Sequence, residues 1–452
     1  MRKGLSGVFN IFTAGIYKPA FLFKSLITML TLNLIREKKD FIIERLKVKN
    51  FDAAEIIERI LTLDTSRREI QVKTDNLQAE MNRISKEIGT LMKDGKKEEA
   101  DVARQKTFAL KEEIKILSDK IGPIDNDLRI EIVRLPNLPH LSVPSGHGAD
   151  DNEIVSSGGT IPVISETALP HWDLIKKYDI IDFELGIKLT GAGFPVYKGK
   201  GAKLQRALIT YFLDQGEKAG YDEVYPPIMV NEDSGFGTGQ LPDKEGQMYH
   251  ATADNFYLVP TAEVPVTNIY RDVILSADQL PVKNIAYTPC FRREAGSWGA
   301  HVRGLNRLHQ FDKVEIVRIA HPDQSYESLK EMVSHVEGLV ASLELPYRIL
   351  RLCGGDMSFT SALTYDFEVW SAAQKRWLEV SSVSNFESFQ ANRLKCRFKD
   401  KGDKQTTLVH TLNGSALALP RIVAAILENN QTETGINIPK VLVPYTGFEV
   451  IN

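Results

Sequence analysis

Between residues 67 and 132 apolar side chains recur at a spacing that suits a rod and little else. Ile70, Thr74, Leu77, Met81, Ile84, Ile88 and Leu91 follow one another at alternating steps of four and three. An α-helix turns once in about 3.6 residues, so this run leaves one narrow stripe, and helices that bury such stripes supercoil. Lys93-Asp94-Gly95-Lys96-Lys97 breaks the run with turn formers, and Leu110, Ile114, Leu117, Ile121, Ile124 and Leu128 resume the rhythm. Two stripes joined by a short polar turn predict an antiparallel coiled-coil hairpin. In the return helix Gly122-Pro123 predicts a kink or an early end, because proline inside a helix costs about 3 kcal/mol. By itself such a hairpin is a spacer or a dimerisation element. Arg83, Lys86, Lys106 and Lys111 are interleaved with acids, so the pattern marks no face for a polyanion.

The chain of 452 residues is long enough for a second, larger core beside the hairpin. A charged fraction of 25% beside 43% hydrophobic residues excludes a disordered chain. With no uninterrupted apolar run of about 18 residues, no membrane span is expected. The net charge of −3 provides no global basic field, which counts against nucleic acid unless local patches supply the contact. Cys290, Cys353 and Cys396 lie far apart without a Cys-x-x-Cys, as reduced thiols of a cytoplasmic protein would, and they offer no zinc spacing. Residues 1–28 carry Arg2, Lys3, Lys18 and Lys24 but no acid, a leader-like composition that Lys18-Pro19 interrupts. An N-terminal extension with no folded role is expected there, with the arm domain over 29–135. A Pro-, Gly- and Ser-rich stretch marks a linker at 136–160, and the remaining domain would span 161–452. Within it, residues 201–220 have helical periodicity, and Tyr221-Asp222-Glu223-Val224-Tyr225-Pro226-Pro227 reads as a strand ending in prolines.

Chemistry concentrates further on. Phe291-Arg292-Arg293-Glu294 closes an apolar segment, a loop containing Gly296-Ser297-Trp298-Gly299 follows, and His309-Gln310-Phe311-Asp312-Lys313-Val314-Glu315 returns with alternating polarity. This predicts two antiparallel strands whose connecting loop presents charge to a ligand. A guanidinium at a strand end suits phosphate or carboxylate, since its rigid donors grip oxyanions in pairs. An isolated Arg-Arg-Glu would more often be a solvated hairpin. Here it is accompanied by Thr261-Ala262-Glu263, by Glu379-Val380-Ser381-Ser382, and by Thr411-Leu412-Asn413-Gly414-Ser415 running on to Pro420-Arg421.

Together these segments resemble the motifs of the class II aminoacyl-tRNA synthetases, in the seryl-tRNA synthetase version of bacterial type. The resemblance covers essentially residues 29–452. It implies an α+β protein, with a helical tRNA-binding arm and a catalytic domain built on an antiparallel sheet flanked by helices. The helix and strand over 201–227 would be motif 1, the family's dimer interface. Arg292 would hold the α-phosphate of ATP and the serine carboxylate, Glu294 would accept from the adenine amino group, and Arg293 would sit near ATP or face solvent. Leu308 would pack beside the adenine. Glu263, with Thr261 and Ala262, would pair with the serine ammonium, Glu315, at the end of the return strand, would take the serine hydroxyl with Ser415 reaching the same region, and Asn413 would also bind serine. Glu379, Val380, Ser381 and Ser382 would belong to the second ATP-contacting strand, with Glu379 a candidate ligand for the Mg²⁺ that accompanies ATP. In motif 3, read as strand, glycine turn and helix, Arg421 would hold the γ-phosphate. The implied partners are L-serine, ATP, serine tRNA (also selenocysteine tRNA where it exists) and a second copy of the chain. Two other readings remain: a ligase that charges a carrier protein, whose relatives lack the arm, and a coiled-coil interaction protein on a decayed synthetase domain, which ought to have lost Arg292, Glu294, Glu379 or Arg421.

Overall fold

The computed structural model describes residues 31–243, 246–294 and 303–452. The expected extension over 1–28 and the Gly296-Ser297-Trp298-Gly299 loop lie outside the described residues.

Helices α1 (Ala54–Lys93) and α2 (Lys97–Ile132) pair along their length as the hairpin. Every stripe residue named above is buried or half-buried, and Ala100, Ala103 and Thr107 carry the seam on toward the turn with side chains too small to stand out in the sequence. Charged pairs such as Lys73–Glu113 (3.0 Å) cross the seam at the surface. Helix α1 also begins well before residue 67. The early end expected at Gly122-Pro123 does not occur, for α2 runs through to Ile132 with Pro123 inside it. Two causes combine. Gly122, Pro123 and Asp119 are exposed, so the Asp119 carbonyl deprived of a donor can be met by water. Beyond the proline, Ile124, Leu128 and Ile132 pack into the core at the root of the arm. Each such side chain contributes about 1.5–3 kcal/mol on full burial, together more than the proline's cost of about 3 kcal/mol.

That root core gathers Leu34, Ile35, Ile42 and Leu46, from the short helices Leu32–Glu37 and Lys39–Lys47, against Ile57, Ile60 and Leu128. Thr31 caps the first short helix by accepting from the Leu34 amide. The root is tied to the main body by backbone carbonyls of two loops, one at residues 358–361 and one at Phe386. Lys49 Nζ donates to the carbonyls of Ser358 (2.8 Å) and Ser361 (2.7 Å), and the Asn137 amide nitrogen donates to those of Thr360 (2.9 Å) and Phe386 (2.8 Å). The Pro/Gly/Ser-rich stretch is therefore not slack. Leu135, Asn137 and Leu138 are buried, and residues 153–158 form a strand.

The body is an eight-stranded sheet: β1 (Glu153–Gly158), β2 (Asp222–Glu223), β3 (Val282–Phe291), β4 (Gln310–Ala320), β5 (Tyr347–Arg351), β6 (Leu363–Ser371), β7 (Arg376–Asn385) and β8 (His410–Ala418). The spatial order is β1-β5-β6-β7-β8-β4-β3-β2, and only the β2–β3 pairing is parallel. Helices α3 (Gly199–Lys218), α4 (Ser325–Ser342) and α5 (Leu419–Asn429) cover one face. Val314, Ile316, Phe367, Val383 and Leu412 enter the main core there, among Leu204, Phe212, Met332 and Ile422. The helix expected over 201–220 is α3, while the strand after it shrinks to Asp222–Glu223. Gly414 makes no turn; it lies within β8, where an added Cβ would stand 3.0 Å from Val383 Cγ2, so the glycine admits the neighbouring strand.

Candidate active site

Alternation along β4 sends Val314 and Ile316 into the main core and Lys313 and Glu315 to the opposite face. Both polar residues are nonetheless buried, Glu315 at 1% exposure, because the six-residue helix Glu263–Asn268 lies over them. Glu315 stands in the middle of β4, not at its end, since the strand continues to Ala320. It faces Ser415 across the ladder to β8. Its oxygens accept from Asn413 Nδ2 (2.9 Å) and Thr261 Oγ1 (3.3 Å), and Lys313 Nζ is 2.5 Å away. Three donors around two oxygens are the surroundings of a charged carboxylate that can still accept from a ligand hydroxyl.

Glu263 is the second buried carboxylate of this pocket. Burial, and then the neighbouring Glu315 charge, push its carboxyl up to about 7. No lysine or arginine forms an ion pair with it among the described residues; its hydrogen-bond donor is Gln390 Nε2, at 2.6 Å. A carboxylate so placed is an acceptor waiting for a cation. Arg292 stands at the mouth, its Nε donating to the Pro260 carbonyl (3.3 Å) and its guanidinium 5.3 Å from the centre of the Phe311 ring.

The remaining predicted residues divide. Glu294, at φ 48°, pairs with Arg307, and Arg293 is exposed with its guanidinium 6.0 Å from the Tyr249 ring. Leu308 is buried in the main core. On β7, Phe367 opposes Ser381 and Glu368 opposes Glu379, so Val380 is the extra residue of a β-bulge. The bulge breaks the alternation and leaves Glu379 exposed beside Ser382, whose hydroxyl donates to it at 3.3 Å. The Ser381 hydroxyl instead donates to the Ser415 carbonyl (2.6 Å), tying β7 to β8. Arg421 lies in the first turn of α5, with Nη1 donating to the Glu379 carbonyl (2.7 Å) and Nε to the Asn306 carbonyl (3.1 Å).

Three residues to which the motifs gave no role belong to this constellation: Lys313, Gln390 and Asp366. Lys313 was legible, since residues two apart on a strand share a face and Glu315 is its neighbour in that sense. Gln390, on the short helix Phe389–Leu394, carries no sequence signal. Nor does Asp366, opposite Ser382, whose Oδ1 is buried with no hydrogen-bond partner and whose carboxyl burial and the Glu379 charge push well above the usual range.

Comparison with known proteins agrees with this architecture. A family model for the seryl-tRNA synthetase N-terminal domain matches residues 29–139, and one for the class II tRNA synthetase core domain (G, H, P, S and T) matches residues 248–430. The chain is 49% identical over 421 residues to a serine–tRNA ligase of Salinibacter ruber, covering 93% of this chain and 98% of that protein. The chain belongs to the seryl-tRNA synthetase family. Among relatives of the same description, one from Chlorobium luteolum is 46% identical, with 94% of this chain and 99% of that protein covered. The crystal structure of seryl-tRNA synthetase from Pyrococcus horikoshii complexed with ATP superimposes with a TM-score of 0.89 at 33% identity, covering 94% and 99% of the two chains. The α+β fold, with its helical arm and large antiparallel sheet, is that of the family. No helix among the described residues is long and apolar enough to cross a membrane.

Proposed function

We infer that the protein is a serine–tRNA ligase, and that the buried pair Glu263 and Glu315 selects its amino acid. Serine brings an ammonium and a hydroxyl. Glu263, lacking a cationic partner, takes the ammonium; Glu315, already balanced by Lys313, accepts from the hydroxyl, with Thr261, Asn413 and Ser415 around it. Ala262 contributes backbone and packing. This division of labour between two carboxylates is the observation that supports the serine reading best.

With the amino acid held, a serine carboxylate oxygen attacks the α-phosphorus of ATP, the α–β bridging P–O bond breaks, and pyrophosphate leaves with the electron pair. Charge grows on the α-phosphate oxygens, where Arg292 would stabilise it. Arg421, anchored by the Asn306 and Glu379 carbonyls, would hold the far end of the triphosphate, and Glu294 the adenine amino group. The unpartnered Asp366 oxygen beside Glu379 and Ser382 fits a hard cation, so these three would hold the Mg²⁺ that offsets phosphate charge when ATP is bound. The 3′-hydroxyl of the terminal adenosine then attacks the seryl carbonyl, and AMP leaves. No strong base is required; positioning and charge stabilisation carry the first step. The arm, projecting from the body, would meet the tRNA, and the protein would work in the cytoplasm. Leu185, Leu189, Tyr225 and Phe256 leave apolar surface exposed around the motif 1 region, Tyr225 at 85%, which supports a homodimer there.

ATP–pyrophosphate exchange with each amino acid tests the assignment. Serine alone should support rapid exchange; comparable exchange with another amino acid, or none with serine, would overturn it.

A further inference from the structure

The Glu263 carboxylate rests on a residue that belongs to no motif of the site. Gln390 is 1% exposed, on a helix separate from every pocket element, and its amide makes three hydrogen bonds within a fully buried cluster. Nε2 donates to Glu263 Oε1 (2.6 Å) and to the Thr238 carbonyl (3.2 Å), while Oε1 accepts from the Thr411 hydroxyl (2.7 Å). The partners dictate which way the amide faces. A carbonyl offers only acceptance, so the nitrogen must be on that side. Thr411, at 0% exposure on β8, donates its hydroxyl to Oε1 and so holds that end of the amide in place.

We propose that Gln390 is a positioning residue for amino-acid selection, aiming the Glu263 carboxylate at the substrate ammonium while Thr411 locks the amide. The proposal rests on the assignment of Glu263 to the ammonium. The carboxylate leaves the first turn of a six-residue helix and is buried among Glu315 and Lys313 of β4 and Arg292 beyond β3, whose charges act on it. Of the groups facing Glu263, Glu315 repels its charge, Lys313 and Arg292 attract it, and among the described residues Gln390 alone donates a side-chain hydrogen bond to it. Gln390 thus does two things at once: it fixes the direction of one oxygen lone pair and it favours the charged form that an ammonium requires.

A filler of the same volume would do neither, and that difference is measurable. In Gln390→Met, which keeps the bulk and removes the donor, the serine KM in pyrophosphate exchange should rise about 10- to 100-fold, the range expected when a hydrogen bond to a charged group is lost. The ATP KM should stay within about twofold, since the ATP residues lie on other elements. The serine KM should also depend on pH with a midpoint displaced upward from the wild-type profile, because the lost donor had favoured ionisation. Thr411→Val should reproduce the direction of both changes more weakly by freeing the amide to turn. A folding defect would instead lower the titre of active sites and leave both KM values and the profile in place.

Glu263→Gln separates the proposal from the assignment beneath it. If Glu263→Gln raises the serine KM while Gln390→Met leaves KM and pH profile unchanged, Gln390 is packing and the proposal fails by itself. If Glu263→Gln leaves the serine KM unchanged, the ammonium assignment fails and takes the proposal with it. Should both single variants impair serine binding, Gln390→Met added to Glu263→Gln must cost less than it does in the wild type, because it acts through Glu263. Full additivity would overturn the proposal.

Discussion

The arm and the catalytic body spend polar residues in opposite ways. Beyond the arm root, where Asp64 and Glu131 are buried, the charges of α1 and α2 stand at the surface, in pairs such as Lys73–Glu113 whose members are 59% and 46% exposed, and the seam specifies the hairpin. In the body the polar residues of the serine pocket are buried, with partners on different elements: Glu315 on β4 with Asn413 on β8, Glu263 with Gln390, Gln390 with Thr411. A periodic element tolerates substitution because every repeat does the same work. A buried polar cluster does not, because losing one member strands the others without water to replace it.

This contrast sets the sizes of the expected effects. The largest belongs to Glu315→Ala: serine activation should collapse and the serine/alanine discrimination should narrow by roughly 10⁴-fold, since a site built to bind a hydroxyl rejects its absence about that strongly. An unchanged ratio in pyrophosphate exchange would remove Glu315 from the hydroxyl subsite. Excising residues 70–121 with a glycine bridge should come next. The cut spares Ile60, Ile124 and Leu128 of the root core, so adenylate formation should stay near wild type while charging of serine tRNA falls about 10²- to 10³-fold, a loss of the size that several phosphate contacts supply. A truncated enzyme that charges normally would make the arm a spacer. Smallest is Lys73→Ala in the middle of the arm, which should lower stability by less than about 0.5 kcal/mol in denaturant unfolding, as exposed pairs do. A larger loss would show that the surface charges, not the seam, hold the hairpin.

The same contrast explains what could be seen in the sequence. The hairpin was legible from Ile70 to Leu128 because its rule repeats, and only the small seam residues Ala100, Ala103 and Thr107 and the early start of α1 escaped it. Of the kink or early end read from Pro123, the early end failed because propensity is local, whereas the burial of Leu128 and Ile132 that overrides it belongs to the root core. In the body, the arginines and acids of the motifs were legible as chemical types at fixed spacings. What the spacing could not hold was anything produced by contact between distant strands. Gly414 looked like a turn until Val383 was found against it. The bulge at Val380 changes which face Glu379 occupies, and it exists only in the pairing of β7 with β6. Gln390 and Asp366 acquire their meaning from partners more than ten residues away, which no local pattern records.

The anchoring of the arm root has a mechanical meaning. A helix the length of α1 reaches about 60 Å, so a tilt of about 5° at its base sweeps the far tip through about 5 Å, close to the rise of one helical turn. The carbonyls that hold Lys49 and Asn137 sit at the fulcrum of this lever, where a loosened grip of a few tenths of an ångström is magnified most. The direction in which the long hairpin points is thus sensitive to side chains at its hinge end, far from its tip.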